Sequence, residues 1–334
     1  MQNGFYKSLI YIAFTTINAL PVRMHKLSIL LIALLTLSCT HKDLCYDHSH
    51  VVDVNVRFVW EKAPMATPAS MSVYLYPEGS ARPLRFEFTD YNGGKIRLQV
   101  GRYRAICLNS DTRNISVENA NNFDSFYITT KNATAMSGLT SYGVMANEIP
   151  KAKNTENERV TLSPEMTWSD CIGDINVTTQ DQTITFVPER RTANYTVEIK
   201  NVQNLKWVNG LSGTISSMSG GYHPGIFSLS EECVTIPFEA IMHREESMIT
   251  GAFSSFGHCP TVDQTHHLLI YGVLADDSRW YYDFDVTDQV HNSPDPYEIH
   301  IVLEDLPFPK PVVNGGGFKP EVGEWNSIEI EIKM

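Results

Sequence analysis

Alternation of apolar and polar residues with a period of two runs through most of this chain after residue 50, and long helical periodicity is missing. The first such segment places five apolar side chains on one face, at Val52, Val54, Val56, Phe58 and Trp60. Successive side chains of a strand point to opposite sides of a sheet, so this pattern predicts strands with one buried face. We therefore predict an all-β fold.

The strand patterns form two groups, and 334 residues are long enough for two domains. The simplest architecture is two antiparallel β-sandwiches in series, the first over 51–188 and the second over 189–334. In the first group, the turn Asp90–Gly94 contains an Asn-Gly pair, which is typical of a tight hairpin. The strands on either side of this turn are predicted to pair with each other.

Residues 1–38 have the pattern of a targeting segment. A short basic region begins at Met24, the better start site, and an apolar run from Leu27 to Leu37 leads to Ser38-Cys39. This run is too short to span a bilayer, which takes roughly 20 residues. A small residue directly before cysteine is typical of a lipoprotein signal peptide, so we predict diacylation of Cys39. The polar segment over 39–50 resembles the tether of outer-membrane lipoproteins, and Lys42-Asp43 resembles the signal that sends some of them to the cell surface, so we expect an outer-membrane location exposed at the surface.

Five cysteines remain once Cys39 carries lipid, so at least one of them is unpaired within the chain. Their spacings of tens of residues do not match a zinc site. Cys107 and Cys233 lie in strand-like segments, where we predict buried small apolar residues.

Charge and motifs exclude several classes of function. The net charge is −12, and it reaches −15 once Lys7, Arg23 and Lys26 leave with the leader. Such an acidic chain repels phosphate backbones, which argues against nucleic acid as a partner. The sequence has no GxSxG, HExxH or P-loop motif, so we predict a protein that is not an enzyme and needs no cofactor.

Weaker candidate sites lie in the second half of the chain. Asp283 and Asp285 share one side of a strand and Asp288 follows, so these oxygen ligands are candidates for a hard cation such as calcium, although solvent-facing carboxylates explain them as well. His266 and His267 are neighbours in a strand and point to opposite faces, which disfavours one shared metal.

Aromatic residues raise a second class of function. Trp168, Trp207 and Trp325 lie near loops, and Trp168 and Trp207 are our candidates for stacking against sugars. Packing in the core is the alternative for all of them.

Four segments carry a resemblance to known proteins: DLCYDHSHVVDVNVRFVW, LQVGRYRAICLNSDT, FDVTDQV and GGGFKPEVGEWNSIEIEI. They resemble lipoproteins of gut anaerobes in the fimbrillin-like superfamily, which includes fimbrillins and the lipoproteins that anchor minor fimbriae. The resemblance implies two transthyretin-like, Greek-key sandwiches at the outer membrane. Polymerising members lose an N-terminal strand to a protease and accept a donor strand from a neighbour. Here Arg57 lies inside the first strand, so this chain has no clear arginine cleavage site before the strand that would become the first one.

The expected function is that of an anchor, tip or accessory subunit in a fimbria-like surface assembly, with other fimbrial or surface proteins as partners. The C-terminal strand pattern places Ile328, Ile330 and Ile332 on one side, and this strand is either donated to a partner or closes its own sheet. A surface glycan-binding lipoprotein is the alternative function.

Overall fold

The computed structural model describes residues 51–261, 265–311 and 324–329, and the regular secondary structure of these residues is almost entirely strand. The predicted all-β sandwich fold is confirmed. In chain order the first eleven strands are β1 (Val51–Phe58), β2 (Met71–Pro77), β3 (Leu84–Phe88), β4 (Gly93–Gln99), β5 (Gly101–Asn109), β6 (Ile115–Glu118), β7 (Tyr127–Thr130), β8 (Arg159–Val160), β9 (Trp168–Val177), β10 (Gln182–Phe186) and β11 (Glu189–Arg190).

Two sheets enclose the core of the first half. One has the order β10-β1-β4 and the other β11-β9-β5-β2-β3. The alternation in β1 is confirmed, because Val54, Val56 and Phe58 are buried while the residues between them are exposed. Phe58 stacks on Phe186 of β10 with ring centres 5.9 Å apart, so β1 is held by core contacts as well as by its two neighbours.

The predicted hairpin at Asp90–Gly94 is wrong. β3 pairs with β2, whereas β4 pairs with β1, so this turn connects the two sheets of the sandwich. Gly93 has a φ of +111°, and a Cβ there would lie 2.1 Å from the carbonyl oxygen of Val56. The glycine therefore serves a close approach between backbones that a side chain would block.

The remaining strands form the second half of the fold. They are β12 (Ala193–Lys200), β13 (Val208–Ser219), β14 (Gly221–His223), β15 (Ser228–Leu229), β16 (Cys233–His243), β17 (Met248–Ser255), β18 (His267–Leu274), β19 (Arg279–Asp285), β20 (Glu298–Glu304) and β21 (Trp325–Glu329). The helices are short: α1 (Thr287–His291) and 3₁₀ turns at Thr140–Tyr142, Leu205–Trp207 and Pro224–Ile226.

A large sheet with the order β20-β12-β17-β16-β13-β18-β19-β21 wraps around the second core. β16 makes this possible, since its first part pairs with β13 and its last part, from Ala240, pairs with β17. Phe238 lies near the end of the first part and fills the space over Gly213 and Gly251, where a Cβ would come within 2.6 Å of its ring.

Parallel pairs make the sheets mixed, which corrects the prediction of purely antiparallel sandwiches. β1 pairs in parallel with β10, β12 with β20, and β19 with β21. Parallel neighbours need long crossover connections, and local alternation in a sequence carries no sign of them.

A small sheet, β15-β14-β7-β6, joins residues from both halves of the chain, and β8 pairs with β16. Residues 136–160 share a third core with β18, through Leu269 and Tyr271. The irregular segment after β7 thus packs on strands far away in the sequence. The proposed division into domains at 188/189 stays a prediction.

The cysteines differ from the prediction at one position. Cys107 is fully buried, as predicted, but Cys233 forms a disulfide with Cys259 and is not a free apolar residue. Cys107 and Cys171 are free thiols, and they contribute to different cores on opposite faces of their sheet. Two such thiols cannot meet without moving the backbone.

Candidate functional site

Trp168, at the start of β9, lines an open cleft of about 630 Å³. Three loops and the short strand β11 surround it, because the ends of β1, β9 and β20 come together here. The lining residues are Lys62, Ala63, Pro64, Met65, Ala66, Met166, Trp168, Glu189, Arg190, Asp295 and Tyr297.

Core packing fixes the Trp168 ring. Its indole meets Trp60 edge to face with ring centres 6.4 Å apart, and Trp60 in turn stacks on Tyr91 at 4.9 Å. The Trp60 indole N–H donates a hydrogen bond of 3.0 Å to the carbonyl of Tyr91. Trp168 is half-buried, so it combines the two roles that the sequence left open, core packing and the lining of a cleft.

Arg190 and Tyr297 form the adjoining wall of the cleft, and Arg190 is the register partner of Trp168 across β11 and β9. The Arg190 guanidinium lies 5.5 Å from the centre of the Tyr297 ring and donates to the Tyr297 carbonyl at 3.0 Å. It also forms an ion pair of 2.6 Å with Glu298. Tyr297 is 42% exposed, so its ring is fixed from one side and accessible from the other.

Charged groups form the rim. Lys62 pairs with Glu189, and the hydrogen bond from Lys62 is the main cause that lowers the pKa of Glu189 below its usual value. Glu189 and Asp295 therefore offer carboxylate acceptors next to two aromatic rings. Apolar rings with a few fixed polar groups are the composition of sites that bind small polar ligands such as sugars.

Trp207 does not join this cleft. It lies in the 3₁₀ turn before β13, half-buried, with the Lys206 ammonium 5.3 Å from its ring centre. Trp325, at the start of β21, packs edge to face on Tyr271 at 5.4 Å. The aromatic candidates from the sequence are thus spread over the molecule.

The three candidate carboxylates also have separate surroundings. Asp283 accepts a hydrogen bond of 2.6 Å from His267, and Asp285 accepts from the backbone and hydroxyl of Thr287. Asp288 is exposed on α1. No group of three ligating side chains among the described residues is arranged around a metal position, and the cation site stays a prediction.

The C-terminal candidates are only partly described. Ile328 lies in β21, whose backbone pairs in parallel with β19. Ile330 and Ile332 lie outside the described residues, as does Cys39. The assembly strand and the lipidation of Cys39 stay predictions.

Sequence reasoning missed one wall of the cleft. Arg190 and Tyr297 are 107 residues apart and meet only because β12 and β20 pair in parallel. The only local signal for this wall was a tyrosine directly before a strand pattern, and such tyrosines are common.

The family model of a domain of unknown function, DUF5119, matches residues 38–239. The chain belongs to the DUF5119 family. No curated protein matches this DUF5119 chain. No helix among its described residues has the length and apolar character needed to span a membrane.

Solved structures share the fold of the DUF5119 chain at low sequence identity. A candidate adhesin from Bacteroides ovatus matches with a TM-score of 0.61 and 18% identity, covering 83% of this chain and 98% of its own. A candidate polysaccharide-binding protein from Bacteroides thetaiotaomicron matches with a TM-score of 0.50 and 12% identity, over 76% and 91%.

The fimbrial anchor protein Mfa2 from Porphyromonas gingivalis also matches, with a TM-score of 0.48 and 10% identity over 76% of this chain and 90% of its own. The predicted fimbrillin-like resemblance is confirmed at the level of the fold.

Proposed function

We propose that this DUF5119 chain is a cell-surface lipoprotein, held in the outer membrane by acylated Cys39, that serves as an anchor, tip or accessory subunit of a fimbria-like assembly. It acts through contacts and not through catalysis. The proposal is supported by the signal pattern before Cys39 and by the fold it shares with a candidate adhesin.

The position of β1 carries the proposal. β1 is the central strand of its sheet, pairs with β10 and β4, and buries Val54, Val56 and Phe58. Removing it would open the core and leave two strands without partners, so a folded subunit keeps it. Residues 39–50 precede it directly and reach at most about 40 Å when fully extended. A subunit that keeps β1 therefore stays close to its lipid, which suits an anchor or terminal subunit.

Exposed strand edges are the natural contact surfaces. β21 is the last strand of the large sheet, and β3 and β20 are edge strands as well. Edge strands present backbone N–H and C=O groups that can pair with another chain.

Crosslinking in intact cells tests the assembly. A photoreactive residue at Asn326 in β21 should crosslink to a surface protein, while one at Lys206, an exposed residue in the 3₁₀ turn before β13 and outside the strands, serves as the matched control. Deleting residues 327–334 removes most of β21 and should abolish capture while the rest of the protein stays folded. Equal crosslinking from both positions, or capture that survives the deletion, would argue against β21 as the contact.

A second function, glycan binding, is supported by the cleft beside Trp168. Trp168 and Tyr297 present two rings, and Glu189, Arg190 and Asp295 provide hydrogen-bonding groups in the same cleft. One solved structure of this fold is a candidate polysaccharide-binding protein, which agrees with such a use of the fold.

Glycan arrays probed with the full-length protein test this second function. Tyr297→Ala leaves the Trp60–Trp168 packing in place and should reduce binding at least tenfold, whereas Trp207→Ala should not change it. Trp168→Phe keeps an apolar ring in the core and should weaken stacking. Wild-type binding by Tyr297→Ala and Trp168→Phe would exclude the cleft as the binding site.

A further inference from the structure

Three histidines meet near the start of β18. The ring centres of His258 and His291 are 4.9 Å apart, those of His266 and His291 are also 4.9 Å apart, and those of His258 and His266 are 5.8 Å apart. The Nε2 atoms of His266 and His291 are 2.9 Å apart. We call this group the histidine cluster.

These separations are close to those of a metal site. In a tetrahedral site each imidazole nitrogen lies about 2 Å from the metal and about 1 Å from its own ring centre, so the ring centres are about 5 Å apart. The structure has no fully formed ligand set among its described residues. Binding needs the Nε2 atoms of His266 and His291 to separate by roughly 0.4 Å and the exposed His258 ring to turn toward them.

The backbone around the cluster is well fixed. His258 pairs with Met218 in an isolated bridge, and the next residue, Cys259, donates to the carbonyl of Ser217 at 2.9 Å and carries the disulfide. His291 ends α1, whose Val290 is buried in the core. Only side-chain rotation is therefore needed to form the site, which keeps the entropic cost of binding low.

The hydrogen bonds of His266 prepare it as a ligand. His266 is fully buried, and its Nδ1 lies 3.3 Å from the carbonyl oxygen of Ser216. A carbonyl only accepts, so Nδ1 carries the proton and Nε2 presents its lone pair. Metal-bound histidines are oriented by the same kind of bond from their other nitrogen.

The cluster is open to solvent on the side of two of its rings. The side chains of His258 and His291 are exposed, which gives an ion access.

We propose that His258, His266 and His291 bind one divalent transition-metal ion of the zinc type, with water in the fourth position. Three imidazole ligands suit zinc and its neighbours and do not suit calcium or magnesium. The ion ties α1 and the His258 segment to the start of β18. Asp283 of the predicted carboxylate site is bound by the neighbouring His267, which is not part of the cluster.

Zinc titration of the full-length protein, stripped with chelator and measured by isothermal titration calorimetry, tests the proposal. His258→Ala and His291→Ala each remove one exposed ring and should weaken zinc binding at this site at least tenfold. His300→Ala is the matched control, since His300 is an exposed histidine on β20 that pairs with Thr196, and it should bind as wild type does.

Circular dichroism of both variants checks that they fold. The two substitutions lie on different elements, so one local defect cannot explain a loss of binding in both. Calcium in place of zinc should give no binding that depends on His258 or His291. The proposal is overturned if wild type binds no zinc, or if folded His258→Ala and His291→Ala bind it as tightly as His300→Ala does.

Discussion

Removing the disulfide between Cys233 and Cys259 should cost this protein about 3.5 kcal/mol of unfolding free energy. The bond closes a loop with a sequence separation of 26 residues. In the chain-entropy model, closing such a loop lowers the conformational entropy of the unfolded chain by about 12 cal/mol/K. The disulfide therefore destabilises the unfolded state by about 3.5 kcal/mol at 25 °C, and this contribution is lost when the bond is removed. The loop includes β16 and β17, so the bond holds the two strands where the large sheet bends around its core.

The assay is urea unfolding of the double variant Cys233→Ala/Cys259→Ala, followed by tryptophan fluorescence. With a slope of about 3 kcal/mol per molar urea, the transition midpoint should fall by roughly 1 M. Cys171→Ala is the matched control, since Cys171 is a half-buried free thiol. A loss below about 1 kcal/mol, or one equal to that of the control, would refute the reasoning. Disulfides persist in oxidising compartments, so a bonded pair in protein from native cells also supports export.

Three further changes test the account of the fold. Phe186→Ala should cost about 3–5 kcal/mol in urea unfolding, because Phe186 is fully buried against β1; a cost below 1 kcal/mol would contradict this packing. Gly93→Ala should cost more than about 1 kcal/mol, because its Cβ would lie 2.1 Å from the Val56 oxygen, and an unchanged midpoint would contradict that contact. Glu232 has a lowered pKa, chiefly from its hydrogen bond with Arg159, so the stability it adds is complete above its usual value of 4.5 and is lost as pH falls through the lowered value. Glu232→Gln should flatten that acid decline by less than about 1 kcal/mol, since the pair is partly exposed, and an identical pH profile would speak against the ion pair.

Local alternation predicted the strands well because burial along a strand depends on neighbouring residues only. β1 and β12 bury every second side chain, as their sequences indicate. In β19, Tyr282 and Phe284 are buried on the side opposite to Asp283 and Asp285. The segment of β17, MITGAFSS, gives a weaker strand signal, because its small residues interrupt the apolar alternation.

Pairing between distant strands could not be predicted from one sequence. Gly93 has the positive φ angle that the Asn92-Gly93 pair predicts, but this turn leads the chain from one sheet into the other. β7 and β14 pair across more than 90 residues, which no local pattern encodes. Their pairing brings two halves of the chain together and depends on the whole core.

The candidate site shows the same limit. Trp168 stood out as an aromatic residue near a loop, yet the cleft around it needs Arg190 and Tyr297 from strands that meet only in the folded chain. His266 was noticed next to His267, whereas its actual neighbours are His258 and His291.

Mass spectrometry of the N-terminal peptide, from protein recovered from surface structures of native cells, tests the central proposal most directly. The proposal predicts a peptide that begins at acylated Cys39 and continues through β1 in the assembled protein. A mature protein that carries no lipid, or that begins after Arg57, would contradict it.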